Sequence, residues 1–178
     1  MGIIDKLFGR GREEEQTLER AMRSPAFMPP MQSAAPAKTI QYDQTLVPQL
    51  IDDHHALVAM YQKLGNDVRS GRYQGVATAL LDFKTYLEGH LLKENVRFYV
   101  YLEQSMAHDA ENLALVKDFR REMNGIARGV VDFVKKYQVT PVSHATQNEF
   151  LADYDAVGQL LAMRIGREES QLYTLYHD

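Results

Sequence analysis

The apolar residues of this chain recur at steps of three and four, and that period limits the fold more than any other feature. It is cleanest in the run Val116, Phe119, Met123, Ile126, Val130, Phe133 and Tyr137, which alternates strictly between the two steps. Such spacing puts one residue per turn on a single stripe of an α-helix, and the stripe has to be buried against a partner. Three further runs share the pattern. They are Val47, Leu50, Leu57, Tyr61 and Leu64; Val76, Leu80, Phe83, Leu87, Phe98 and Leu102; and Leu151, Tyr154, Val157, Leu161, Leu172 and Leu175. Ser70-Gly71 and Thr140-Pro141 read as helix stops. No strand-like alternation competes. The pattern predicts an all-α, up-down-up-down four-helix bundle over residues 44–178.

Residues 1–43 break the period. Pro25, Pro29, Pro30 and Pro36 fall among Ser, Ala and Met, and this stretch reads as a Pro-rich flexible linker. Ahead of it, Ile3, Ile4, Leu7 and Phe8 form one side of a short amphipathic segment. Residues 1–24 are therefore a candidate docking segment for a protein partner. Membrane attachment is not expected there, because Lys6 stands where a myristoylation signal needs Ser or Thr. Asp5, Lys6, Arg10 and Arg12 interrupt any signal-peptide core. A net charge of −4 with no basic stripe argues against nucleic acid as a partner. The absence of cysteine excludes disulfides, thiolate metal sites and a cysteine nucleophile. The expected location is the cytoplasm.

The gaps in the apolar stripes carry the chemistry. His54 fills the slot between Leu50 and Leu57. His90 and Glu94 fill those between Leu87 and Phe98, and Arg164 and Glu168 those between Leu161 and Leu172. Five ionisable side chains thus point into a core, where an unpaired charge costs several kcal/mol. Counted from the helix turns at about 1.5 Å per residue, they lie at one height within a turn or two. A His-x-x-x-Glu pair facing another His and Glu is the arrangement used by carboxylate-bridged metal sites in bundles. Imidazole with carboxylate suits iron, manganese or zinc better than calcium. Glu169 and His55 fall off the stripes and read as solvated neighbours; Met123 reads as core.

The segments Asp53-His54-His55-Ala56-Leu57, His90 to Tyr99 with Glu94, and Arg164 to Tyr173 with Glu168 resemble the three signature segments of the hemerythrin and HHE cation-binding family. The resemblance covers roughly residues 44–176 and implies a bundle holding two irons bridged by carboxylates of the second and fourth helices. At the first iron's positions this chain keeps His54 and His90 as nitrogen ligands, with Glu94 and Glu168 as carboxylates. At the second iron's positions it departs. Arg164 replaces the fourth-helix histidine, and the middle of the third helix offers Met123 instead of a histidine. His108 and His144 sit near helix ends, and Glu122 lies on the exposed flank beside the gap. A guanidinium cannot ligate a metal, but it can pair with a bridging carboxylate in place of a cation.

Two functional readings follow from the residues. One is a hemerythrin-like metal-binding protein holding iron in a half-site or mononuclear site, in a sensory or regulatory role. The resemblance implies that reversible dioxygen binding draws on two irons, so carriage is not expected. The other is a metal-free bundle acting as an interaction module through its N-terminal segment, because Arg164 and one protonated histidine also balance the two glutamates. An enzyme ranks third, since both carboxylates are committed and no spare general base lies in the layer.

Overall fold

In the computed structural model, which describes residues 39–178, the three-and-four period resolves into four helices and no strand among the described residues. The amphipathic segment and Pro-rich linker of residues 1–43 lie outside the described residues as far as residue 38. Helix α1 is Leu46–Arg69. Helix α2 runs as Val76–Lys93, a single π turn Glu94–Phe98, and Tyr99–Ser105. Helix α3 is Ala110–Val139. Helix α4 runs as Gln147–Arg167, a second π turn Glu168–Leu172, and a closing 3₁₀ turn Tyr173–Leu175.

The ends follow local chemistry. Gly71 and Gly75 take φ of +73° and +86° in the turn between α1 and α2, a backbone conformation that residues with a side chain rarely adopt. Asp109 caps α3, its carboxylate accepting from the Asn112 N–H at 3.1 Å. Pro141 stands two residues beyond Val139, the last residue of α3, after the C-cap Thr140. Helix α1 packs on α2 and α4, and α3 packs on the same two, which closes an up-down-up-down bundle. Among the described residues no helix is long and apolar enough to cross a membrane.

The stripes build two apolar clusters rather than one. Leu57, Leu64, Phe83, Val130, Phe133 and Phe150 belong to the larger. Leu46, Leu50, Phe98, Phe119, Leu172 and Tyr176 belong to the smaller. Between them lie the five ionisable residues that interrupted the stripes.

Helices α1 and α4 are clasped by a reciprocal pair of tyrosines. The Tyr61 hydroxyl donates to the Tyr154 carbonyl and the Tyr154 hydroxyl to the Tyr61 carbonyl, each at 2.8 Å, with the rings stacked at 4.3 Å. Gly65 makes room for this, since a Cβ there would sit 2.5 Å from the Tyr154 hydroxyl. Gly65→Ala is expected to lower unfolding free energy by about 1–3 kcal/mol through overpacking, read as a lower urea midpoint at unchanged slope. An unchanged midpoint would show that the clasp is not tight.

Candidate metal centre

The polar layer takes His54 from α1, His90 and Glu94 from α2, and Arg164 and Glu168 from α4, none more than 4% exposed. Three of the four residues expected as ligands, His54, His90 and Glu168, come together, and Glu94 faces His90. His54 Nε2 lies 3.3 Å from Glu168 Oε2, and His90 Nε2 lies 3.8 Å from Glu94 Oε2. The two imidazole rings are 4.8 Å apart. One donor atom each from His54, His90 and Glu168 lies within 4.8 Å of the other two. Glu94 stands beside this trio. Its Oε1 accepts from the Tyr173 hydroxyl at 2.9 Å, and its Oε2 has no hydrogen-bond partner among the described residues.

Two observations test whether these residues suit a metal ion. Donors sharing one ion at bonds of about 2.0–2.2 Å are held about 3–3.5 Å apart, close to the separations of the facing pairs. A fully buried carboxylate oxygen without a partner is costly, and here the orphan points toward histidine Nε2. The donor set fits.

The sequence reading missed the residues that aim the two imidazoles. His54 Nδ1 contacts Glu169 Oε1 at 2.8 Å, and His90 Nδ1 contacts Asp53 Oδ2 at 3.3 Å. Asp53 is itself held by Lys93 at 2.7 Å and the Tyr86 hydroxyl at 3.2 Å. A carboxylate on Nδ1 holds the proton there and leaves the Nε2 lone pair facing the layer. Glu169 is therefore not the solvated neighbour expected from an ideal helix. The π turn that starts at Glu168 alters the local phase, and the half-buried Glu169 reaches α1.

Local fields divide the titratable groups. Burial pushes the His90 pKa down to about 4, so its imidazole is neutral. Burial lowers His54 as well, but hydrogen bonds to Glu168 and Glu169 outweigh it and raise its pKa. Burial, reinforced by the charge of Glu168, drives Glu94 upward. For Glu168 the upward push of burial loses to the His54 hydrogen bond and the Arg164 charge, and its pKa falls. One carboxylate thus stays charged while the other resists ionisation.

Arg164 completes the layer on the side of α3. Its Nε donates to Glu168 Oε1 at 2.7 Å, its Nη1 to Glu122 Oε2 at 3.2 Å, and its Nη2 to the Tyr99 hydroxyl at 2.9 Å. The guanidinium carbon stands 4.6 Å from the centre of the Phe119 ring. Glu122, expected on the exposed flank, bends in to meet it and is shared with Arg167 at 2.7 Å. Met123 is buried, whereas His108 and His144 are exposed.

Helices α2 and α4 repeat one pattern: His90, Glu94 and Tyr99 stand at the spacing of Arg164, Glu168 and Tyr173. Both glutamates open a π turn, and each tyrosine reaches across to the other helix, Tyr99 to Arg164 and Tyr173 to Glu94. Arg164 is the counterpart of His90. The signal for the π turns was present in the sequence. His90, Glu94, Phe98 and Leu102 follow one another at steps of four, which in an α-helix drift by about 40° each. A widened turn absorbs the drift and keeps all four on the core, and such turns concentrate at functional sites.

No curated protein and no solved structure matches the chain. Residues 45–176 match the family described as the hemerythrin HHE cation-binding domain, a span that takes in all five residues of the polar layer and reaches into each of the four helices. The family model spans most of the chain, and the chain belongs to the hemerythrin HHE cation-binding domain family.

Proposed function

We propose that this chain is a one-metal member of its family, holding iron between His54, His90, Glu94 and Glu168, in a sensory or regulatory role. The observation that carries the reading is the Arg164 guanidinium, which spans Glu168, Glu122 and Tyr99 at the position corresponding to His90. A permanent cation there supplies the charge a second ion would bring and leaves that ion no nitrogen ligand. Bound iron would supply an open coordination position and a one-electron change of charge. The chain's own residues do the rest: Asp53 and Glu169 orient the imidazoles, Tyr173 holds Glu94, and packing keeps all five layer residues at 4% exposure or less. Glu168 joins His54 to Arg164, and Arg164 joins Tyr99, so the layer is one connected hydrogen-bonded unit, which suits a sensor.

Asp53→Asn and Glu169→Gln test the aiming of the imidazoles. Each is expected to weaken metal binding about 10–100-fold in a chelator competition while helical content stays unchanged. Equal affinity in both variants would remove the support these carboxylates give.

One observation favours the metal-free interaction module instead. His54 lies between Glu168 and Glu169, and its raised pKa favours an imidazolium that, together with Arg164, would balance them without an ion. On that reading, a His54→Ala, His90→Ala double variant keeps its partner and deletion of residues 1–24 loses it. Under the metal reading the double variant loses the ion.

A further inference from the structure

A cavity of about 410 Å³ opens between α1 and α4 and runs down to the polar layer. Its mouth is formed by exposed residues, Val58, Gln62, Gln159 and Ala162. Its walls are Phe83, Leu87, Met123 and Tyr61, and its floor is His54, His90, Arg164 and Glu168. Side-chain size explains the gap. On α4 the lining includes two small residues one turn apart, Gly158 and Ala162. A Cβ on Gly158 would already sit 2.9 Å from the Tyr61 ring, so that wall is closely fitted while the mouth stays open.

The lining selects a ligand class. Apolar walls around 410 Å³ exceed the roughly 150 Å³ cavity that accepts benzene, and fall in the size range of small-molecule sites. The rings of Tyr61 and Phe83, 5.1 Å apart, and the thioether of Met123 favour flat aromatic surfaces. The floor favours an uncharged guest, because Arg164 and Glu168 neutralise each other in a direct ion pair and each Arg164 nitrogen already donates one hydrogen bond. His90 Nε2, 3.8 Å from Glu94 Oε2 and beyond hydrogen-bond reach of it, leaves one polar contact for a guest. We propose that this cavity binds an uncharged aromatic molecule of two or three rings, entering between α1 and α4 with its single polar atom toward the floor. Its walls and mouth contain no proposed metal ligand, but the polar contact His90 is one, so this orientation belongs to the metal-free, chelator-treated chain.

The test uses the full, chelator-treated chain and N-phenyl-1-naphthylamine, an uncharged aromatic probe whose emission rises and shifts to the blue in apolar surroundings. The expected result is saturable one-to-one binding. Two variants close the mouth at exposed positions, Ala162→Phe and Val58→Trp, and each is expected to weaken the probe at least about tenfold with an unchanged melting curve. A control, Leu92→Ser, removes the leucine that is 62% exposed on α2 and is expected to leave binding unchanged. Absence of saturable binding, binding that survives either closed mouth, or loss in Leu92→Ser would overturn the site. If a mouth variant melts early, Ala162→Leu and Val58→Leu replace the pair under the same criterion.

Discussion

Replacing Arg164 with leucine is expected to destabilise the metal-free bundle by about 3–5 kcal/mol, the largest stability loss for any single substitution in the layer. Arg164 is 1% exposed and donates to Glu168, Glu122 and Tyr99. Leucine matches part of its volume but leaves Glu168, 2% exposed, with His54 as its remaining buried cation. The measurement is chelator-treated unfolding in urea. Arg164→His separates charge from packing. Without metal it should be nearly as unstable as the leucine variant. With metal it should recover, because a histidine at 164 beside Glu122, Glu94 and Glu168 recreates a place for a second ion. Metal content is then expected to rise from about one ion per chain to about two. A stable leucine variant, or a histidine variant that ignores metal, would show that Arg164 is not the substitute cation.

The second large effect concerns the proposed ion. His54→Ala with His90→Ala is expected to reduce bound metal from about one per chain to none, because no other nitrogen donor lies in the layer. The unliganded fold should survive. His54 and His90 sit between two apolar clusters that are otherwise intact, so helical content is expected to be near native. Thermal unfolding supplies the matching readout. Metal at 100 times its Kd adds about 2.7 kcal/mol to a protein that binds it only when folded, and that increment is expected to vanish in the double variant. An increment that persisted would place the ion elsewhere.

The fold was legible because each helix carries its own period. The stops at Ser70-Gly71 and Thr140-Pro141 coincide with the ends of α1 and α3. The polar layer was legible for the same reason: His54, His90, Glu94, Arg164 and Glu168 occupy stripe positions, so their burial followed from phase alone. What an ideal period cannot carry are the residues one step off the stripe. Asp53 and Glu169 each neighbour a layer residue in sequence, and each reaches another helix, Asp53 to His90 and Glu169 to His54. Such reach depends on side-chain length and on the π turn after Arg167, and neither enters a helical wheel. Tyr99 and Tyr173 are an intermediate case. Aligning His90–Tyr99 with Arg164–Tyr173 would have singled them out, since the repeat places both five residues beyond a layer glutamate. The cavity between α1 and α4 opens beside Ala162, a small uncharged residue that leaves no mark among ionisable stripe positions.

The most direct test of a one-metal centre is elemental analysis of the full chain after anaerobic iron loading, paired with an absorption spectrum after exposure to air. The expected result is about one iron per chain, lost on His54→Ala with His90→Ala, and no oxo-bridge band. Two irons per chain with an oxo-bridge band would contradict the role given to Arg164, and a chain that retains no metal would contradict the centre itself.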